Sequence, residues 1–445
     1  MTRAHLWAYA APGLGVSFLS TLVLVMYLNF AADVLGASIG VVGTIFLVGK
    51  VWDAVSDPLA GNWSDRTRSR LGRRRSWMLA SALPLFAFGA MAWAPPQGLS
   101  PFALHAWIAF SIVGFYTAQT MFDVPNMALG AELSHSQAER NRIFGVRQVV
   151  RTLGLFGSFG LGTYVLTQSA DPRGAAVWLG VGVGLATAAS IVWGVLALPP
   201  ERSDYTGRGG LSLWKSMRDV WGNRLARLLL FVFFIESLGV GAIGALVPFV
   251  IRYVMKTPEL VPAMLIVYTT STLLAVPLWV RLARRFEKRR LWLWAMVQGG
   301  LGFGMLFWLG EGDWLLMSIS SVVAGTANAC GATLGQSLKA DLIDVDEHAT
   351  GERKEGAYFA AWSFVSKLAT GVMIGITGIA LDAAGYVENA DQSETVKRAM
   401  ILLMGGAPIV GYGIGTLAFL RFDLTQATHA RIRSELDARA AARTP

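Results

Sequence analysis

The run LPLFAFGAMAW at residues 83–93 is continuously apolar. A transmembrane β-strand would alternate apolar and polar positions over about ten residues, so this stretch reads as helix and speaks against a barrel. Similar runs extend along the whole chain, at about 6–30, 38–62, 76–95, 101–130, 143–168, 174–198, 226–254, 259–284, 289–309, 314–341, 355–382 and 397–421. Twelve membrane helices of ~20 residues require about 240 apolar residues, and 54% of the 445 residues are hydrophobic. Only 15% are charged, against roughly 25% in soluble domains. The composition disfavours a soluble enzyme, a disordered chain or a fibrous repeat. The expected fold is an all-α integral membrane protein with twelve transmembrane helices in two six-helix bundles. The stretch MTRAHLWAYAAPGLGVSFLS lacks a small-residue cleavage site and reads as a retained first helix. The lone Cys330 excludes an internal disulfide.

Charge placement sets the orientation. With both termini in the cytoplasm, inner segments hold 29 Lys/Arg and the outer side five, as the positive-inside rule requires. Four more, Lys50, Arg147, Arg151 and Lys367, lie within apolar stretches. The loops NWSDRTRSRLGRRR at 62–75 and RLARRFEKRR at 281–290 follow the second and eighth helices, which suggests two related bundles. The expected organisation is a first bundle over 1–198, a cytoplasmic linker over 199–225, a second bundle over 226–421 and a cytoplasmic tail over 422–445. Within the linker, Leu213, Trp214, Met217, Val220, Trp221 and Leu225 recur at helical spacing between basic residues, the pattern of an interfacial helix. The net charge of +9 therefore points to lipid contact rather than nucleic acid. No phosphate-binding G-x-x-x-x-G-K-[ST] loop, metal-ligand cluster or nucleophile elbow is present.

A charge inside a membrane helix costs about 2.5–3.5 kcal/mol on insertion scales, so such residues face a cavity or a partner. Lys50, Asp53 and Asp57 stand at i, i+3 and i+7 on one helix face. Two carboxylates one turn apart repel, and a bound Na⁺ or a shared proton relieves the repulsion; the alternative is a structural salt-bridge ladder. Arg147 and Arg151 share a face and suit pairing with Asp123 or with the second-helix carboxylates, against snorkelling to the interface. Lys367 lies too deep in its helix to snorkel, and Glu236 reads equally as packing partner or gate. His105 reads as an interface histidine. Lys339, Asp341, Asp344, Asp346 and Glu347 read as solvated or gate salt bridges near a helix end.

The block GTIFLVGKVWDAVSDPLAGNWSDRTRSRLGRRRSW at 43–77 closely resembles the signature of the glycoside–pentoside–hexuronide:cation symporters, the melibiose permease-like branch of the major facilitator superfamily. TMFDVP at 120–125, the region of Arg147 and QSLKADLIDVDEHATGERKEGAYFAAWSFVSK at 336–367 agree with it. The resemblance covers nearly the whole chain. It implies a cation site at Asp53, Asp57, Ser56 and Thr120, Ser56 standing where the family pattern has an asparagine. It implies substrate positions at Ser17, Asp123, Met127, Arg147 and Lys367, with Lys50, Arg151 and Glu236 in the cavity charge network. Asp65, Arg66, Arg70, Gly72, Arg73 and Arg74 fall in the superfamily's cytoplasmic gate or topology motif. Ser17 replaces the family's sugar-binding aspartate, and Met127 replaces its stacking tryptophan.

The implied activity is alternating-access symport of a sugar, glycoside or uronide with Na⁺ or H⁺, without a cofactor, by a monomer in a bacterial inner membrane. Alternatives are symport of a lysophospholipid or other amphipath, and a non-transporting membrane sensor. Around the implied cavity Lys50, Arg147 and Lys367 balance Asp53, Asp57 and Asp123. One bound Na⁺ would leave an uncompensated positive charge, which favours an anionic substrate. Tags at residue 1, within 63–75 or at 445 are expected to be cytoplasmic and a tag within 385–395 external; protease access to 63–75 in intact cells would overturn the orientation.

Overall fold

A computed structural model of the chain describes residues 2–134, 137–167, 169–201, 218, 220–351 and 355–443. Regular structure among these residues is helical. We number the long helices α1 (Arg3–Asp33), α2 (Ile39–Arg66), α3 (Arg73–Trp93), α4 (Pro101–Glu132), α5 (Gln137–Thr167) and α6 (Pro172–Ala197). They continue as α7 (Arg224–Val254), α8 (Pro258–Leu282), α9 (Lys288–Trp308), α10 (Trp314–Thr350), α11 (Glu355–Ala383) and α12 (Glu394–Phe419). A further helix, α13, spans Gln426–Arg443. Among the described residues, eleven helices are long and apolar enough to cross a membrane. The 31-residue α5 also carries Arg140, Arg142, Arg147 and Arg151 in its first half. Of the expected interfacial helix, Leu213, Trp214 and Met217 lie outside the described residues.

Helix starts follow capping chemistry. Ser38, Ser100, Asp171 and Asn223 each accept hydrogen bonds from backbone N–H groups in the first turn of α2, α4, α6 and α7, a contribution of about 0.5–2 kcal/mol apiece. The start of α3 uses a residue from far along the chain. The Glu201 carboxylate accepts from the backbone N–H groups of Arg73, Arg74 and Arg75 at 3.1, 2.9 and 2.8 Å. Gly72 precedes this turn with φ +105°, a left-handed conformation that glycine adopts without a Cβ penalty. A Cβ there would also meet the Glu201 side chain at 2.5 Å.

The chain folds as two compact units, one of residues 1–210 with 371–396 and the other of residues 211–370 with 397–445. Within the first, α4 packs on α2 and α3, and α6 on α1 and α3. Within the second, α10 packs on α8 and α9, and α12 on α7 and α9. The pairings correspond helix for helix, as expected of two related bundles. A π-helical turn interrupts α1 at Leu22–Met26, and another closes α7 at Val250–Val254. Residues 371–396 group with the first unit because small residues let backbones meet. A Cβ on Gly43 of α2 would lie 2.9 Å from the Gly378 Cα.

Several helices overshoot their apolar stretches. α2 continues to Arg66, α5 begins at Gln137, and α10 runs to Thr350 rather than ending near 341. The extra turns of α10 are polar and are held by side-chain partners. Asp341 pairs with Lys288 at 2.7 Å, and Asp344 with His429 at 3.1 Å and Arg433 at 3.5 Å, both on α13. His348 meets Glu435 at 2.6 Å. The acidic residues expected at a helix end are thus inside the helix and dock the tail helix. Glu201→Ala removes three capping bonds from α3 and is expected to destabilise the protein by about 1–2 kcal/mol, read as a lower melting temperature in detergent; an unchanged value would show that the cap contributes nothing.

Candidate functional site

The first unit brings Asp53, Ser56, Asp57 and Thr120 together. Asp53 and Asp57 lie one turn apart on α2, and Thr120 comes from the packed α4. The Thr120 hydroxyl is 3.1 Å from Oδ1 of Asp53 and 3.1 Å from Oδ1 of Asp57. The Ser56 hydroxyl is 3.3 Å from Thr120 Oγ1 and donates to the Asp53 carbonyl at 3.1 Å. Asp53, Ser56 and Thr120 are buried. A threonine hydroxyl carries one proton and can donate to one carboxylate at a time. Two carboxylates and two hydroxyls thus converge, the oxygen-rich donor set that a hard cation takes.

Lys50 ties this group off. Its ammonium is 3.2 Å from Asp53 Oδ2 and lies 4.0 Å from the centre of the Tyr116 ring, so it holds one face of the carboxylate while Oδ1 points at Thr120. Pro58 follows Asp57 directly, and Pro125 lies two residues after Asp123. Proline cannot donate the i→i−4 hydrogen bond, so the carbonyls of Ala54 and Met121 lose that helical partner beside the site.

A second group forms between α4 and α5. Arg151 Nη1 meets Asp123 Oδ1 at 2.6 Å, with Arg147 Nη2 at 3.7 Å from the same oxygen. Arg147 Nε donates to Asn126 at 3.0 Å, and Gln119 donates to Asp123 Oδ2 at 3.2 Å. Both arginines are turned to Asp123 and held within the unit. The Ser17 hydroxyl donates to the Arg151 carbonyl at 2.8 Å, which fastens α1 to α5. Met127, one turn after Asp123 on α4, is 58% exposed. Sequence reasoning alone misses Gln119 and Asn126, although they stand four before and three after Asp123 on the same helix face.

The basic motif divides. Asp65 pairs with Arg74 at 2.9 Å and Arg73 at 3.6 Å. Glu132 at the end of α4 binds the same two arginines at 2.8 and 2.7 Å. Arg66 and Arg70 are exposed and make no ion pair among the described residues. His105 Nε2 accepts from the Ser38 backbone N–H at 3.2 Å, a structural role at the start of α2. In the second unit Glu236 accepts from the Trp292 indole, and Lys367 stands on α11.

Residues 8–426 match the family model described as MFS/sugar transport protein. The chain belongs to that family. Within it, the chain is 26% identical to the isoprimeverose transporter of Lactiplantibacillus pentosus, over 93% of this chain and 86% of that one. It is 25% identical to the sodium-dependent lysophosphatidylcholine symporter 1 of Xenopus tropicalis, over 86% of this chain and 80% of the relative. In fold it is similar to a bacterial homologue of the human lysosomal transporter Spinster, with a TM-score of 0.71 at 12% identity, covering 96% of this chain and all of that one. This MFS/sugar transport family member is a multi-pass membrane transporter, not an enzyme, of the glycoside–pentoside–hexuronide:cation symporter branch.

Thr120→Val keeps the shape of the α2–α4 contact and removes the shared hydroxyl. Hydrogen bonds to charged groups contribute about 1.5–3 kcal/mol, so affinity for the coupling cation is expected to fall roughly 10- to 100-fold. Calorimetric titration with Na⁺ checks this; unchanged affinity would remove Thr120 from the site.

Proposed function

We propose that the protein is a secondary active symporter that couples entry of a cation, Na⁺ or H⁺, to uptake of a small sugar, glycoside or uronide. The observation that carries this reading is the single Thr120 hydroxyl set between the carboxylates of Asp53 and Asp57. A cation entering there neutralises two like charges that one hydroxyl proton cannot satisfy, so binding the ion and ordering α2 against α4 are one event. The cation site is Asp53, Asp57, Ser56 and Thr120. Asp123, Arg147, Ser17, Met127 and Lys367 serve the substrate, and Lys50, Arg151 and Glu236 complete the charge network. Asp65, Arg73 and Arg74 act as the cytoplasmic gate.

The substrate carries a negative charge in this reading. By formal charge the Lys50–Asp53–Asp57 group sums to one negative and the Arg147–Arg151–Asp123 group to one positive. A monovalent cation suits the first and an anionic group the second, leaving neither uncompensated in a low-dielectric interior. The protein works as a monomer in the plasma membrane, a bacterial inner membrane, with both termini cytoplasmic and lipid around it. The second reading is transport of a lysophospholipid or other amphipath. Exposed Met127, in place of a ring on which a sugar stacks, favours it.

The test is uptake into energised vesicles, using neutral sugars, matched acidic sugars and lysolipids, each with and without Na⁺. Acidic sugars are expected to accumulate against their gradient. Asp57→Asn is expected to abolish cation stimulation while the inserted protein remains folded. Accumulation by that variant with normal cation dependence would place the coupling site elsewhere, and preference for the neutral sugar would reject the anionic substrate.

A further inference from the structure

The second unit holds an acidic side chain for which the cation site of α2 and α4 has no use. Glu236 stands in the middle of α7, twelve residues after its start at Arg224. A carboxylate at such depth is costly unless a partner or a cavity receives it. Its carboxylate accepts the indole N–H of Trp292 on α9. On α10, Gly331 faces the other oxygen; a Cβ there would lie 2.7 Å from Glu236 Oε2. The glycine makes room for the carboxyl group but supplies no side-chain donor.

The titratable and charged groups that face Glu236 from the packed helices are Tyr268 of α8, Cys330 and Lys339 of α10, and Tyr412 of α12. Lys339 is the positive member. Its ammonium lies 4.3 Å from the Phe233 ring centre and 5.1 Å from that of Trp362, so ring faces help to stabilise it. Among the described residues neither Glu236 nor Lys339 makes an ion pair. An ionised Glu236 would therefore rest on an indole donor and a distant ammonium, too little compensation in an apolar bundle. A proton neutralises the carboxylate in place and needs no further ligands.

From this geometry we infer that Glu236 is a proton-binding site of the second unit, separate from the carboxylate pair of α2. The bound species is H⁺ itself: one carboxylate oxygen takes the proton and becomes a hydroxyl, while the carboxyl group keeps its bond from Trp292.

Infrared difference spectroscopy of the purified full chain in lipid vesicles, titrated with acid and base, tests it. A carboxylic-acid carbonyl band is expected that titrates reversibly in the wild-type protein, is lost in Glu236→Gln and persists in Asp57→Asn. Trp292→Phe keeps the acid but removes its donor, so the band is expected at higher frequency. That variant decides the matter if Glu236→Gln does not fold. A band unchanged in Glu236→Gln, a frequency unmoved in Trp292→Phe, or loss of the band on adding Na⁺ at constant pH would each overturn the proton site. Failure of Asp57→Asn in the uptake assay would bear on the α2 cation site alone, so the two readings fail separately.

Discussion

One hydroxyl proton shared between two carboxylates sets the terms for the first unit. Thr120 cannot satisfy Asp53 and Asp57 together, and both carboxylates come from one turn of α2. Their repulsion is contained by packing α2 against α4, by Lys50 on the outer oxygen of Asp53, and by Ser56 behind the hydroxyl. The prolines beside Asp57 and Asp123 interrupt the hydrogen-bond ladder of both helices at this depth, so the backbone nearest the site is the part least bound to its own helix.

The positive group on α4 and α5 complements this. Asp123 is committed to Arg151 and Arg147, and is therefore unlike the α2 pair in what it can receive. Ser17 completes the contrast. Its hydroxyl is spent on the Arg151 carbonyl, whereas an aspartate there would bring a second negative charge toward the arginines. An aspartate there would take the formal charge of the group from one positive to zero, while the α2 site is untouched.

The number and order of the helices were legible because apolar runs of about twenty residues have few other readings. Their ends were not. The final turns of α10 and the first turn of α3 owe their helical state to His429, Arg433 and Glu201, residues whose proximity no local pattern reports. In the site, the i, i+3, i+7 spacing made Lys50, Asp53 and Asp57 readable as a unit. Thr120 came only through the family resemblance, since a lone hydroxyl in an apolar run has no distinguishing period. Arg66 and Arg70 could not be told from Arg73 and Arg74 by composition; position relative to the Glu201 cap and to Glu132 separates them.

The Glu201 cap also says where the molecule can be cut. Apolar patterning closes the first bundle at residue 198, but the side chain that seats α3 lies three residues further on. A first half expressed alone and ended at 198 would begin α3 with three backbone donors open, beside two arginines that Glu132 and Asp65 must then hold unaided. Split versions of this transporter, reassembled from two separately made halves, keep an intact first half only if the break falls after Glu201.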